Sequence, residues 1–221
     1  TPFFMAWDLH GKYPRILEDE VVGPQAQSLF SDAKAMLDSI VREGWLQAKG
    51  VYGFFPARQK GDDIEVEDLR GERHRFLSLR QQGQKKEGLP YMALADFIDP
   101  NGDDCLGLFA VTTGHGLEAR VAAYEAAQDD YSALMLKALA DRLAEAFAER
   151  LHERVRTEFW GYASAEALSN DDLIKEAYQG IRPAPGYPAC PDHLEKDLLF
   201  QLLDVEQAAG ITLTEHKAMY P

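Results

Sequence analysis

The segment Arg182–His193, "RPAPGYPACPDH", places four prolines and a glycine within twelve residues. Proline offers no backbone donor and fixes its own φ, so a ribbon of this composition joins no β-ladder and loses little entropy in adopting one shape. Three of its residues are chemically useful. Arg182 presents a planar fork suited to a carboxylate or phosphate, Gly186 lets the backbone approach a bound group, and Tyr187 adds a flat face with a polar tip. Together they describe a small-molecule site with an anionic end and a planar end. The bland alternative is a stiff linker whose Arg182 makes a structural ion pair.

Other constellations are thinner. Cys190 and His193 form a C-x-x-H pair, but zinc normally takes three or four protein ligands and no second cluster accompanies them, so no metal is expected. No G-x-S-x-G, glycine-rich phosphate loop or G-x-G-x-x-G following a strand occurs, so hydrolase, nucleoside-triphosphatase and Rossmann readings lack their motifs. A formal charge of −14 argues against polyanionic partners, so neither nucleic acid nor an anionic membrane surface is expected. No apolar run approaches the ~20 residues of a membrane span. The two cysteines are far apart in a chain of 221 residues, which favours a reducing, cytoplasmic compartment.

The elements that must position the ribbon follow from periodicity. Ala26, Leu29, Phe30, Ala33, Leu37, Ile40 and Val41 recur at helical spacing, with Gly44 as the stop. "GVYGFFPA" is strand-like, "IEVED" and "RHRFLSL" suggest a hairpin, and "YMALADFI" and "CLGLFAVTT" suggest two more strands joined at Asn101-Gly102. Beyond Leu117 one or two long helices carry a stripe of Leu136, Leu139, Leu143, Phe147, Leu151 and Val155. Ser169 and Asp172 have capping-box spacing for a two-turn helix. Asp192 and Glu195 have it for a last helix ending near Gly210, ahead of an extended tail. Strands in one block and helices in another predict an α+β fold, with helices packed on a twisted antiparallel sheet.

Three stretches, "TPFFMAWDLHGKYPRILEDEVVG", "LADRLAEAFAERLHERVR" and "YQGIRPAPGYPACPDH", together resemble the C-terminal activation domain of cobalamin-dependent methionine synthase, in order and along nearly the whole chain. The resemblance implies a C-shaped α+β domain spanning 1–221 that binds S-adenosylmethionine (AdoMet). It also implies membership of a methyltransferase that passes methyl groups from methyltetrahydrofolate to homocysteine through cobalamin. There the domain supports reductive remethylation of Cob(II)alamin with an electron from flavodoxin or an equivalent flavoprotein. Cobalamin is bound by a separate module, so the isolated domain is expected to be inactive alone.

Residue by residue, the resemblance implies that Arg182 holds the AdoMet carboxylate, that Ala184, Gly186 and Tyr187 line the ligand, and that Glu145 lies near it. Asp141, Glu145 and Glu149 form an i, i+4 stripe. Such a stripe could attract the cationic sulfonium ligand or, through Asp141 and Glu145, dock the cobalamin module, against the alternative of a solvated helix face. The basic run "LRGERHR" around His74 offers a patch for an acidic flavoprotein, against the plainer reading of an exposed hairpin. The family's Asp-Trp pair before T-P-F-F and its tyrosine-bearing stretch after "HKAMYP" fall outside Thr1–Pro221. The domain is thus expected to be truncated at both ends and to bind AdoMet weakly, by ~1.5 to 3 kcal/mol for a lost charged contact. The competing function is a protein-interaction module that docks flavodoxin and the cobalamin domain without useful AdoMet affinity.

Overall fold

A computed structural model describes all of residues 1–221. A one-turn helix α1 (Pro2–Met5) precedes α2 (Gly23–Glu43), and strands β1 (Gln47–Lys60), β2 (Asp63–Glu67), β3 (Arg73–Phe76) and β4 (Asp104–His115) follow. Helices α3 (Leu117–Ala126), α4 (Asp130–Arg154), α5 (Asn170–Ile174), α6 (Glu195–Leu203) and α7 (Val205–Ala209) come next, with short strands β5 (Thr212–Leu213) and β6 (Met219–Tyr220) at the end. Contacts divide the chain into a first unit, residues 1–49 and 112–148 with Pro221, and a second, residues 50–111 and 149–220. No helix is long and apolar enough to cross a membrane.

The first unit is helical. Ala26, Leu29, Ala33 and Ile40 of α2 are buried with Phe4, Leu9 and Ile16, and with Val121, Met135, Leu136 and Leu139 of α3 and α4. Val41, expected on the same face, is 75 % exposed. One residue on from Ile40, it is rotated about 100° off the buried stripe. Gly44 closes α2 at φ 65°, donating to Ile40 O. The long Ala-rich region is two helices: Gln128 at φ 57° breaks it, and the Asp129 carboxylate accepts the Ser132 N–H at the start of α4.

The second unit holds a four-strand antiparallel sheet in the order β3-β2-β1-β4. Ile64 faces Phe76, and Val66 is paired with Ala57, so the alternation of β2 sends these side chains to one face. They are buried there with Phe55, Leu106 and Leu108, under Leu203, Val205 and Ala209 of α6 and α7. On the other residues of the hairpin, charges cancel across strands: Arg73 lies 3.5 Å from Glu65, Arg75 3.5 Å from Asp63, and His74 3.2 Å from Asp68. The basic run is thus matched by acids of its own hairpin.

Three local expectations fail for one reason, side-chain carboxylates taking backbone donors. "YMALADFI" contains a 3₁₀ turn over Leu94–Phe97 instead of a strand. Asp96 accepts the Ala93 N–H while the Arg80 fork grips it at 2.8 and 2.9 Å. The Asn101-Gly102 segment joins this turn to β4, held by Asp99 accepting from Asn101 N–H and Asp104 accepting from Asp99 N–H. Glu195 does not close a capping box with Asp192; its carboxylate accepts the Leu77 N–H at 2.8 Å, 118 residues away in sequence. The last helix is also two pieces, α6 and α7, separated by Asp204 at φ 48°. The tail is a small hairpin, β5 against β6, in place of a single extended segment.

Gly116 has φ 94° and begins α3; a Cβ there would lie 2.5 Å from Trp45 O. Gly116→Ala is expected to lower the unfolding free energy by about 2 kcal/mol or more, read by urea titration. A loss below about 0.5 kcal/mol would show that this close approach is not needed.

Candidate functional site

The end of α4 carries the polar residues that organise the second unit. Glu149, His152 and Arg156 lie three, four and seven apart, on one helix face. Past Arg154 the backbone widens into a π-helical turn, Val155–Phe159, closed by Trp160 N–H donating to Val155 O. Gly161 follows at φ 78° and turns the chain back toward Arg156, whose carbonyl accepts the Ala163 N–H.

Arg156 is completely buried. An ionised side chain inside protein must find a full set of partners. The Nε–Nη2 edge of Arg156 meets the Glu166 carboxylate at 2.9 and 2.7 Å, and Nη1 donates to His152 Nδ1 at 2.6 Å. Its guanidinium carbon sits 4.2 Å from the Tyr178 ring centroid, and the His152 ring meets the same tyrosine edge-on at 4.9 Å. Because a guanidinium only donates, His152 Nδ1 is an acceptor and its proton is on Nε2. Burial, then the charges of Arg156 and Arg182, push the His152 pKa down to about 3.

This framework leads directly into the proline ribbon. Tyr162 OH donates to Gln179 O at 3.1 Å, and Gly180, at φ 94°, leaves room for that hydroxyl, which a Cβ would approach to 3.1 Å. Arg182 follows. Its Nη2 donates to Glu149 Oε2 at 2.9 Å, while Arg182 Nε and Glu149 Oε1 are both buried without a hydrogen-bond partner. The two side chains remain 27 and 30 % exposed.

Four residues after Arg182 the ribbon folds on itself. Tyr187 N–H donates to Ala184 O, Cys190 N–H to Tyr187 O, and Gly186 N–H to Cys190 O, at 2.8 to 3.0 Å. The non-proline residues therefore make the minimal ladder, a bridge between Tyr187 and Cys190, that the proline content argues against. Gly186 sits at φ 102°, and a Cβ there would lie 2.6 Å from His193 Cε1. The close approach expected at Gly186 is thus made by the His193 ring. Tyr187 is 62 % exposed, and Ala184 is exposed as well. Burial, followed by the charges of Glu195 and Asp192, raises the Cys190 pKa to about 11.

The acidic stripe is divided in its surroundings. Asp141 is exposed and Glu145 pairs with Arg142 at 2.7 Å in the first unit, whereas Glu149 belongs to the second unit and pairs with Arg182. Glu149, noted only as a member of the stripe, is the carboxylate beside the arginine. His152, Arg156, Glu166, Tyr162 and Tyr178 went unread in the sequence. The one available signal is that His152 and Arg156 directly follow Leu151 and Val155, both buried, so they border the inward face of α4. Nothing local marks Glu166 as the partner of an arginine ten residues earlier.

Asp68, Glu72 and His74 place ligand-type atoms within 4.8 Å of one another. Asp68 is already committed to the turn, one oxygen accepting the Arg70 and Glu72 N–H groups and the other facing His74.

An α+β unit with a preformed proline turn behind a half-paired arginine matches one class of domain. The sequence model described as "Vitamin B12 dependent methionine synthase, activation domain" matches residues 1–221, and the chain belongs to that family. A similar solved structure is described as the crystal structure of the MetH reactivation domain bound to AdoHcy (S-adenosylhomocysteine). It is 56 % identical in sequence, with a TM-score of 0.92 over 100 % of this chain and 70 % of that one.

Because the folded-state pKa of His152 lies below its ordinary 6.5, the unfolded chain takes up a proton that the folded chain refuses as pH falls from 6.5 toward 3. Stability is lost across that window at up to about 1.4 kcal/mol per pH unit, and none of this contribution is lost above pH 7. His152→Gln, whose amide oxygen accepts the same bond, should therefore lose less stability than the parent between pH 6.5 and 5 in urea titrations. Parallel losses in the two proteins would show that His152 titrates normally.

Proposed function

We propose that the corner formed by Arg182 and Glu149, with the Ala184–Tyr187 turn, binds AdoMet. On this reading the domain serves a cobalamin-dependent methyltransferase by supporting reductive remethylation of Cob(II)alamin, with the electron coming from flavodoxin or an equivalent flavoprotein. The observation that carries the assignment is the buried, unpartnered Nε–H of Arg182, a donor awaiting an acceptor at the head of a turn already folded. The AdoHcy in the similar reactivation-domain structure supports the ligand class.

When bound, AdoMet supplies a methyl group on a sulfonium. The work of the chain's own residues is to hold it. Arg182 takes the carboxylate through its free Nε–H while Nη2 stays on Glu149, a division between two rigidly spaced donors that lysine cannot reproduce. Ala184 and Gly186 contribute backbone, with Gly186 required by the turn itself, and the exposed Tyr187 ring offers a face to a planar group. The ordering cost of binding is small, because the turn is closed by its own hydrogen bonds before any ligand arrives. Glu145, exposed on α4 and paired with Arg142, is kept on this reading as an acidic residue near the ligand, and with Asp141 as a candidate for meeting the cobalamin module. The compartment that fits two free cysteines and such redox chemistry is the cytoplasm. Cobalamin itself belongs to another module, so the domain alone transfers no methyl group.

In the full-length synthase, Arg182→Ala should weaken AdoMet binding by about one to two decades in calorimetry and abolish AdoMet-dependent reactivation while flavodoxin binding is kept. Arg182→Lys should recover little of the loss. Unchanged affinity and reactivation in Arg182→Ala would leave the domain as a docking module only.

A further inference from the structure

Two other arginines of the chain fill the Nε–Nη2 edge with a carboxylate, whereas Arg142 and Arg150 meet a single carboxylate oxygen. Arg154 meets Glu158 with Nε and Nη2 at 2.9 and 2.9 Å, and Arg156 meets Glu166 with the same two atoms at 2.9 and 2.7 Å. In both pairs the two carboxylate oxygens are engaged by the two nitrogens, with Arg156 Nε also reaching the second oxygen at 3.2 Å. Arg182 and Glu149 differ from both kinds, because the atoms they leave unpaired are buried. Only Nη2 to Oε2 is made, at 2.9 Å, and the remaining donor, Arg182 Nε, and the remaining acceptor, Glu149 Oε1, are both buried and unpaired.

Two orphans of opposite sense on one ion pair define what is missing. The occupant must offer an acceptor to Arg182 and a donor to Glu149, and it must tolerate a cation and an anion side by side. An α-amino acid zwitterion has that arrangement, its carboxylate and ammonium separated by one carbon. Resting on the reading that AdoMet binds at Arg182, we infer that Glu149 Oε1 accepts the α-ammonium group of the ligand, so that Glu149 and Arg182 together clamp its amino-acid end. The four charges then alternate in sign around the site, and no buried donor or acceptor is left over. Glu149 has Arg182 as its hydrogen-bond partner, while His152 Nδ1 is committed to Arg156. The clamp makes the site selective for the amino group, which a lone arginine would not read.

The experiment uses the full-length protein and two ligands by calorimetry, AdoHcy and its des-amino analogue 4-(5′-adenosylthio)butanoate. The parent protein is expected to bind AdoHcy about tenfold or more tightly than the analogue. Glu149→Gln should remove that preference, weakening AdoHcy by a similar factor while leaving the analogue within about twofold. A parent preference below about threefold overturns the inference without any variant. Unchanged AdoHcy affinity in Glu149→Gln also overturns it, and means that water completes the pair. An equal loss for both ligands overturns it too, because Glu149 would then only position Arg182. Failure of the underlying reading looks different: Arg182→Ala would bind both ligands as the parent does.

Discussion

The second unit depends on a guanidinium that water never reaches. Once Arg156 is inside, its charge must be answered on every side, and the answers come from separate parts of the chain: Glu166 beyond the π-helical turn, His152 one helical turn back, and the Tyr178 ring ahead of the ribbon. No single one of these groups satisfies it, so the helix end and the loop after it are fixed together. Arg182 emerges four residues past Tyr178, already aimed at Glu149. The half-made pair between them is therefore a property of a rigid setting.

The distribution of charge follows the same economy. A net charge of −14 on its own predicts a plain acidic surface. Instead, the hairpin pairs its arginines with acids across strands, Arg80 is shared between Asp62 and Asp96, and the acidic stripe of α4 changes character along its length. Glu145 makes an i, i+3 pair of little energetic weight, while Glu149 is drawn into a partly buried corner. Spacing alone could not tell them apart, because both sit on one helical face and differ only in what the rest of the chain brings up to them.

What was legible follows from the range of the interactions. Helix α2, its Gly44 stop, the Ser169–Asp172 capping box and the Gly210 terminus rest on contacts within a few residues, and the structure has all of them. The β2–β3 hairpin was also legible, since its alternation is local. The misread segments are those where a distant group intervenes. Asp96 is held by Arg80, and Glu195 caps Leu77 across 118 residues, so neither plays the local part its neighbours suggest. At the site, the ribbon announced itself through composition, which put Arg182, Gly186 and Tyr187 in view. The framework behind it did not, because a buried arginine has the same letter as an exposed one.

Cys190 lies at the foot of the ribbon, hydrogen-bonded through its backbone to Gly186 and Tyr187. Burial and the nearby acids Glu195 and Asp192 push its pKa up to about 11, so the thiol form dominates at neutral pH. A sulfonium compound alkylates thiolates readily and thiols hardly at all. On the proposed reading, the ribbon's own sulfur is therefore a poor target for the methyl donor beside it.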